Sequence, residues 1–131
     1  MTRAPDTVGE IMTVNVVGVG PDDPVTDAIR AMVDHDIGSV LVIEGDRAVG
    51  IFTERDLTRR ILGDPDLLGR PMREVMSAPV HAVRPDTDIQ AAFDLMNAKG
   101  VRRLAVLDGM RLVGIVTERD LMRWVSAVAA E

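Results

Sequence analysis

Apolar and polar positions along this chain follow two rhythms, one near 3.6 residues and one near 2, and the changes between them outline its elements. Thr7-Val8-Gly9-Glu10 has the form of a capping box and predicts a short helical turn over 8–12. A β-rich run over 14–19 predicts a short strand. Pro21-Asp22-Asp23-Pro24 supplies an acidic cap and a proline at the first helical position. Val25, Ala28, Ile29, Met32 and Val33 then recur at helical spacing, which predicts an amphipathic helix over about 24–35. The continuous apolar run Ser39–Ile43 predicts a buried strand, Glu44-Gly45-Asp46-Arg47 a turn, and Ala48–Phe52 the returning strand. Thr53 opens a second helix, expected over 54–62 and ended by Gly63.

The same plan then recurs. Shifting the chain by 64 residues aligns 10–60 with 74–124 without a gap, and 20 of the 51 pairs are identical, against roughly three expected by chance. Val49-Gly50-Ile51-Phe52-Thr53-Glu54-Arg55-Asp56-Leu57 matches Val113-Gly114-Ile115-Val116-Thr117-Glu118-Arg119-Asp120-Leu121. The second copy predicts strand 78–83, helix 88–98, strands 103–107 and 112–116 around a turn at 108–111, and helix 118–128. One copy of about 55 residues buries its apolar faces poorly, so the two are expected to pack together and share a core. The fold class is α/β, two βαββα repeats packed with pseudo-two-fold symmetry. The boundaries are 7–62 and 72–128, with the Gly- and Pro-containing stretch 63–71 as connector.

Both copies carry Gly-h-h-Thr-x-x-Asp (h is apolar), at Gly50–Asp56 and Gly114–Asp120, after the runs Asp36–Ile43 and Val101–Leu107. In this the chain resembles the cystathionine beta-synthase (CBS) domain, and two such domains in tandem resemble a Bateman module of the stand-alone class. The resemblance covers about 7–128. It implies binding clefts between the repeats and an adenosine-containing ligand: AMP, ADP, ATP, S-adenosylmethionine or an NAD-type dinucleotide. It also implies assembly as a homodimer.

The residues suit such a ligand. Thr53 and Thr117 stand where a strand gives way to a helix, whose N-terminal N–H groups favour phosphate. Asp56 and Asp120 lie within the first turn, where a carboxylate can accept both ribose hydroxyls, the role the resemblance implies for them. The segments Thr13–Val17 and Ser77–His81, with Val16, Val80 and His81, match the family's adenine-facing region. Gly50 and Gly114 are expected to let backbone approach the ligand. Arg102-Arg103 stands where the first copy has Gly38-Ser39. The resemblance pairs these arginines with the phosphate of a nucleotide held by Thr53 and Asp56, and leaves the site of Thr117 and Asp120 without that charge. Thr-Glu-Arg-Asp is equally a capping box that needs no ligand, so a purely structural or protein-interaction pair stands as the alternative.

Composition narrows the remaining classes. The chain has no Cys, which removes thiolate chemistry and disulfides, and no patterned Ser-His-Asp set, so an enzyme is not expected. A net charge of −6 argues against a nucleic-acid partner. No His or carboxylate cluster suggests a built-in metal or other cofactor, though Mg²⁺ can arrive with a polyphosphate. No apolar run reaches membrane-spanning length and the opening Met1–Asp6 is polar, so neither a membrane partner nor a leader is expected and a cytoplasmic location is. Met12, Met32, Met76 and Met96 recur in register, which favours packing.

Overall fold

The computed structural model describes residues 5–130, so Met1–Ala4, part of the polar opening read above, lie outside the described residues. The elements run α1 (Val8–Ile11), β1 (Gly18–Val19), α2 (Val25–His35), β2 (Ser39–Glu44), β3 (Arg47–Thr53), α3 (Glu54–Arg60), a 3₁₀ turn at Leu67–Gly69, α4 (Met72–Val75), β4 (Ala82–Val83), α5 (Ile89–Lys99), β5 (Arg103–Asp108), β6 (Arg111–Thr117) and α6 (Glu118–Ala129). Two three-stranded mixed sheets result, ordered β1-β2-β3 and β4-β5-β6, each with one parallel and one antiparallel pair. Their registers coincide after the 64-residue shift. Ser39 faces Thr53 as Arg103 faces Thr117, and both hairpins slip after Val42 or Val106. Two-residue turns close the hairpins, with Gly45 and Gly109 at φ 66° and 64°, a conformation that costs glycine little.

The chain divides into two compact units that are not its two sequence repeats. One is Val17–Val80; the other joins the residues up to Val16 to those from His81 onward. Each repeat's opening helix therefore packs with the other repeat's sheet. In the Val17–Val80 unit the core is Val25, Ala28 and Met32 of α2, Val40 and Val42 of β2, Phe52 of β3, Leu67, and Met72 and Val75 of α4. In the other unit it is Val8 of α1, Ile89, Ala92 and Met96 of α5, Leu104 and Val106 of β5, Val116 of β6 and Leu121 of α6. The expectation of one shared core is thus corrected to two clusters. A borrowed helix completes the cover over each small sheet, and a fully buried side chain such as Val8 or Met72 contributes about 1.5–3 kcal/mol.

This exchange also shortens the first strands. The predicted strands 14–19 and 78–83 are strand only at Gly18–Val19 and Ala82–Val83. Upstream, Thr13 exchanges both backbone hydrogen bonds with Ile115 (2.8 and 3.0 Å), and Ser77 does so with Ile51 (2.9 and 3.0 Å). Downstream, Gly18 pairs with Leu41 and Ala82 with Ala105. The two ends of each run belong to different sheets, so no single ladder can hold it.

The stretch 63–71 is more than a connector. Leu67 is fully buried, the Asp64 carboxylate accepts two hydrogen bonds from Arg70 at 2.6 and 3.0 Å, and the Thr26 hydroxyl donates to the Leu68 carbonyl at 2.8 Å. The second helix is also shorter than its apolar pattern suggests: α3 ends at Arg60 rather than residue 62, because Ile61 and Leu62 find no apolar surface and stay exposed. Its counterpart α6 runs twelve residues.

Candidate functional site

The two Thr-x-x-Asp turns are built alike. Thr53 leaves β3 in extended geometry and caps α3; its N–H and hydroxyl donate to Asp56 Oδ2 at 2.9 and 3.0 Å, and its Oγ1 accepts from the Asp56 N–H at 3.2 Å. In the other unit, Thr117 N–H and Oγ1 donate to Asp120 Oδ2 at 2.9 and 3.2 Å, and Oγ1 accepts from the Asp120 N–H at 3.3 Å. Each pair is therefore a reciprocal capping box. Each Asp uses Oδ2 for the cap and keeps Oδ1 outside it.

The first-strand segments join these turns within each unit. Ser77 bridges Ile51, two residues before Thr53; Thr13 bridges Ile115, two residues before Thr117. Val16 and Val80 are half-buried where the chain leaves one unit for the other. His81 is half-buried as well, and its carbonyl accepts from the Ala105 N–H at 3.0 Å. Arg103 lies opposite Thr117 on the β5–β6 ladder. The Arg102 carbonyl accepts from the first N–H of α6, that of Glu118, at 3.0 Å, and its guanidinium stands 3.9 Å from the Glu118 carboxylate. In the Val17–Val80 unit, Gly38 makes the equivalent bond to Glu54 and brings no charge.

Two features were not foreseen. A Cβ on Gly50 would stand 2.3 Å from Met76 Sδ, and one on Gly114 would stand 2.7 Å from Met12 Sδ and 2.9 Å from the Thr13 carbonyl oxygen. These glycines make room for a methionine of their own unit, a packing role that their place in the motif did not reveal. The in-register methionines are core packing, as their spacing suggested. The second feature is Arg123, whose guanidinium lies 3.8 Å from Asp120 Oδ1. Its i,i+3 spacing was the signal for that pair. Arg59 has the same spacing from Asp56, yet no ion pair joins them among the described residues.

A family model for the CBS domain matches residues 8–63 and 72–127. The chain belongs to the CBS-domain family. It carries two CBS domains in tandem, and relatives share that organisation. An uncharacterized protein of Methanopyrus kandleri is 36% identical over 122 residues, covering 89% of this chain and 61% of that protein, so the chain spans less than two thirds of that relative. Hypoxic response protein 1 of Mycobacterium tuberculosis is 34% identical over 121 residues, covering 89% of this chain and 83% of the other. The solved structure of Hypoxic Response Protein I with two coordinated zinc ions superposes with a TM-score of 0.80 over 89% of this chain and 97% of that one. A CBS-domain pair solved with 5′-methylthioadenosine and S-adenosyl-L-methionine gives a TM-score of 0.84 over 95% and 99% of the two chains, and at 21% identity shows the shared fold. In this CBS pair no group of three or more His, Asp or Glu side chains among the described residues is set to hold a metal ion. No helix among them is long and apolar enough to cross a membrane.

Proposed function

We propose that this CBS pair is a regulatory module that binds an adenosine-containing ligand of the AMP, ADP, ATP or S-adenosylmethionine type. The observation that carries the reading is the paired Thr-x-x-Asp turn: in both units the cap fixes the carboxylate through Oδ2 and leaves Oδ1 outside it. A carboxylate held rigid by a cap is pre-organised to accept a vicinal diol, since little side-chain entropy remains to be lost. Asp56 and Asp120 are the proposed ribose contacts, and Thr53 and Thr117, at the helix N-termini, the proposed phosphate-side donors. Val16, Val80 and His81 are the proposed adenine-side residues, and Arg102 and Arg103 the charges offered to phosphate.

A second reading, an interaction module without a small ligand, draws on the same caps, because a capping box accounts for Thr and Asp without a nucleotide. Thermal unfolding with AMP, ADP, ATP, S-adenosylmethionine or NADH separates the two. A ligand at a hundredfold excess over its Kd adds about 2.7 kcal/mol, a rise of several degrees in a chain of this size. The rise is expected to shrink in Asp56→Ala and Asp120→Ala. In Arg102→Ala with Arg103→Ala it is expected to shrink for phosphorylated ligands and persist for S-adenosylmethionine. No shift with any of the five would leave the interaction reading standing.

A further inference from the structure

The two turns share sequence, register and cap geometry, and they differ in what surrounds the carboxylate. Asp56 is half-buried, and among the described residues its Oδ1 meets no cation within 4 Å. Asp120 is only 7% exposed, and its Oδ1 faces Arg123 at 3.8 Å. The arginines themselves are in register, Arg59 on α3 and Arg123 on α6. Helix length separates their surroundings. The seven-residue α3 has Arg59 and Arg60 in its last turn, where the unpaired carbonyls attract a cation. The twelve-residue α6 places Arg123 in its second turn, away from any helix end. Asp120, one turn back, is the partner within reach, and the Arg123 side chain is otherwise 73% exposed.

We propose that Arg123 is a latch on the second Thr-x-x-Asp turn. It holds the carboxylate oxygen a ribose diol needs, so a neutral nucleoside binds the Asp56 turn more tightly than the Asp120 turn. This rests on the ligand-binding reading above. The latch is weak by construction. A single ion pair with one exposed partner is worth at most about 1 kcal/mol, roughly a fivefold change in affinity, and the arginine can swing into water when a ligand arrives.

The test titrates adenosine, which has no phosphate to attract arginine, into the full chain by calorimetry. Asp56→Ala isolates the Asp120 turn and Asp120→Ala isolates the Asp56 turn. The chain with Asp120→Ala is expected to bind adenosine more tightly than the chain with Asp56→Ala. Adding Arg123→Ala to Asp56→Ala is expected to tighten binding about three- to fivefold, the worth of such a pair. Adding Arg59→Ala to Asp120→Ala is expected to change nothing. Raising the salt concentration is expected to tighten adenosine binding to the Asp56→Ala chain and not to its Arg123→Ala derivative, because screening releases the latch and a neutral ligand has no charge of its own to screen. Should Asp56→Ala unfold, Arg123→Ala and Arg59→Ala alone carry the comparison, and only the former is expected to strengthen the weaker of two binding steps. Adenosine binding that depends on Asp56 and Asp120 but is unmoved or weakened by Arg123→Ala overturns the latch and leaves the binding reading intact. No adenosine binding by the wild type or any variant overturns the binding reading itself, and the latch with it.

Discussion

The Val17–Val80 unit and its counterpart contain the same sheet, the same hairpin register and the same Thr-x-x-Asp cap, yet they are held together differently. Val17–Val80 is one continuous stretch, with α4 and the 3₁₀ turn at Leu67–Gly69 following its hairpin in sequence. Two bidentate or close ion pairs tie that stretch down, Asp64–Arg70 at 2.6 Å and Asp22–Arg73 at 2.8 Å. The other unit is assembled from two pieces of chain, and the backbone bonds that secure its N-terminal piece, from Val8 N–H to the Thr87 carbonyl (2.8 Å) and from Ile89 N–H to the Asp6 carbonyl (3.0 Å), repeat those from Met72 to Asp23 (2.9 Å) and from Val25 to Arg70 (3.0 Å) in the Val17–Val80 unit. The indole of Trp124 adds a bond from Nε1 to the Pro5 carbonyl at 2.7 Å and packs near Phe93 at 6.3 Å between ring centroids. Related sequences thus reach the same sheet through local closure in one unit and distant closure in the other.

The largest expected effects test the exchange of opening helices. Met72→Ala should cost roughly 2–5 kcal/mol and Val8→Ala about 2 kcal/mol, since both are fully buried. Hydrogen exchange distinguishes where the loss falls. Met72→Ala is expected to loosen β3 before β6, and Val8→Ala to loosen β6 before β3, although Val8 lies in the first repeat. The opposite pattern would return each opening helix to its own repeat.

Next come the glycines. Gly50→Ala and Gly114→Ala should each cost about 1–3 kcal/mol by overpacking. Companion changes test the cause. Met76→Ala is expected to recover part of the Gly50→Ala loss by removing the sulfur and Cγ at 2.3 and 2.7 Å, while its Cβ stays at 2.9 Å. Met12→Ala should likewise recover part of the Gly114→Ala loss, while the Thr13 carbonyl oxygen stays at 2.9 Å. Denaturant midpoints of the single and double variants measure both.

Trp124→Phe removes the bond to Pro5 while keeping an aromatic ring, and should cost about 1 kcal/mol, felt in the two-piece unit alone. The smallest effect concerns pH. Hydrogen bonds from Arg70 and Arg73 hold the Asp64 and Asp22 carboxyls below their ordinary value of 3.8. A carboxylate depressed in the folded state lends stability that is present above that ordinary value and lost as pH falls through the folded one. Acidification below about pH 4 should therefore weaken the Val17–Val80 unit, and Asp22→Asn with Asp64→Asn should flatten that fall in urea midpoints.

The sequence alone determined the repeat, the hairpins, the helices α2 and α5 and the two caps. All are set by local spacing: period-2 runs broken by Gly45 and Gly109, helical apolar stripes, and a hydroxyl three residues before a carboxylate. Their signals lie within a few residues of the structure they produce. Tertiary structure decided which sheet each opening helix covers, why the first strands shrink to two residues, that Leu67 in an apparent connector is core, and that Gly50 and Gly114 receive methionines. It also decided the inequality of the two turns. Arg59 and Arg123 are identical in register, yet among the described residues only Arg123 stands within 4 Å of its aspartate. Such choices depend on surfaces brought together from distant parts of the chain, where burial is gained or lost only after the fold has closed.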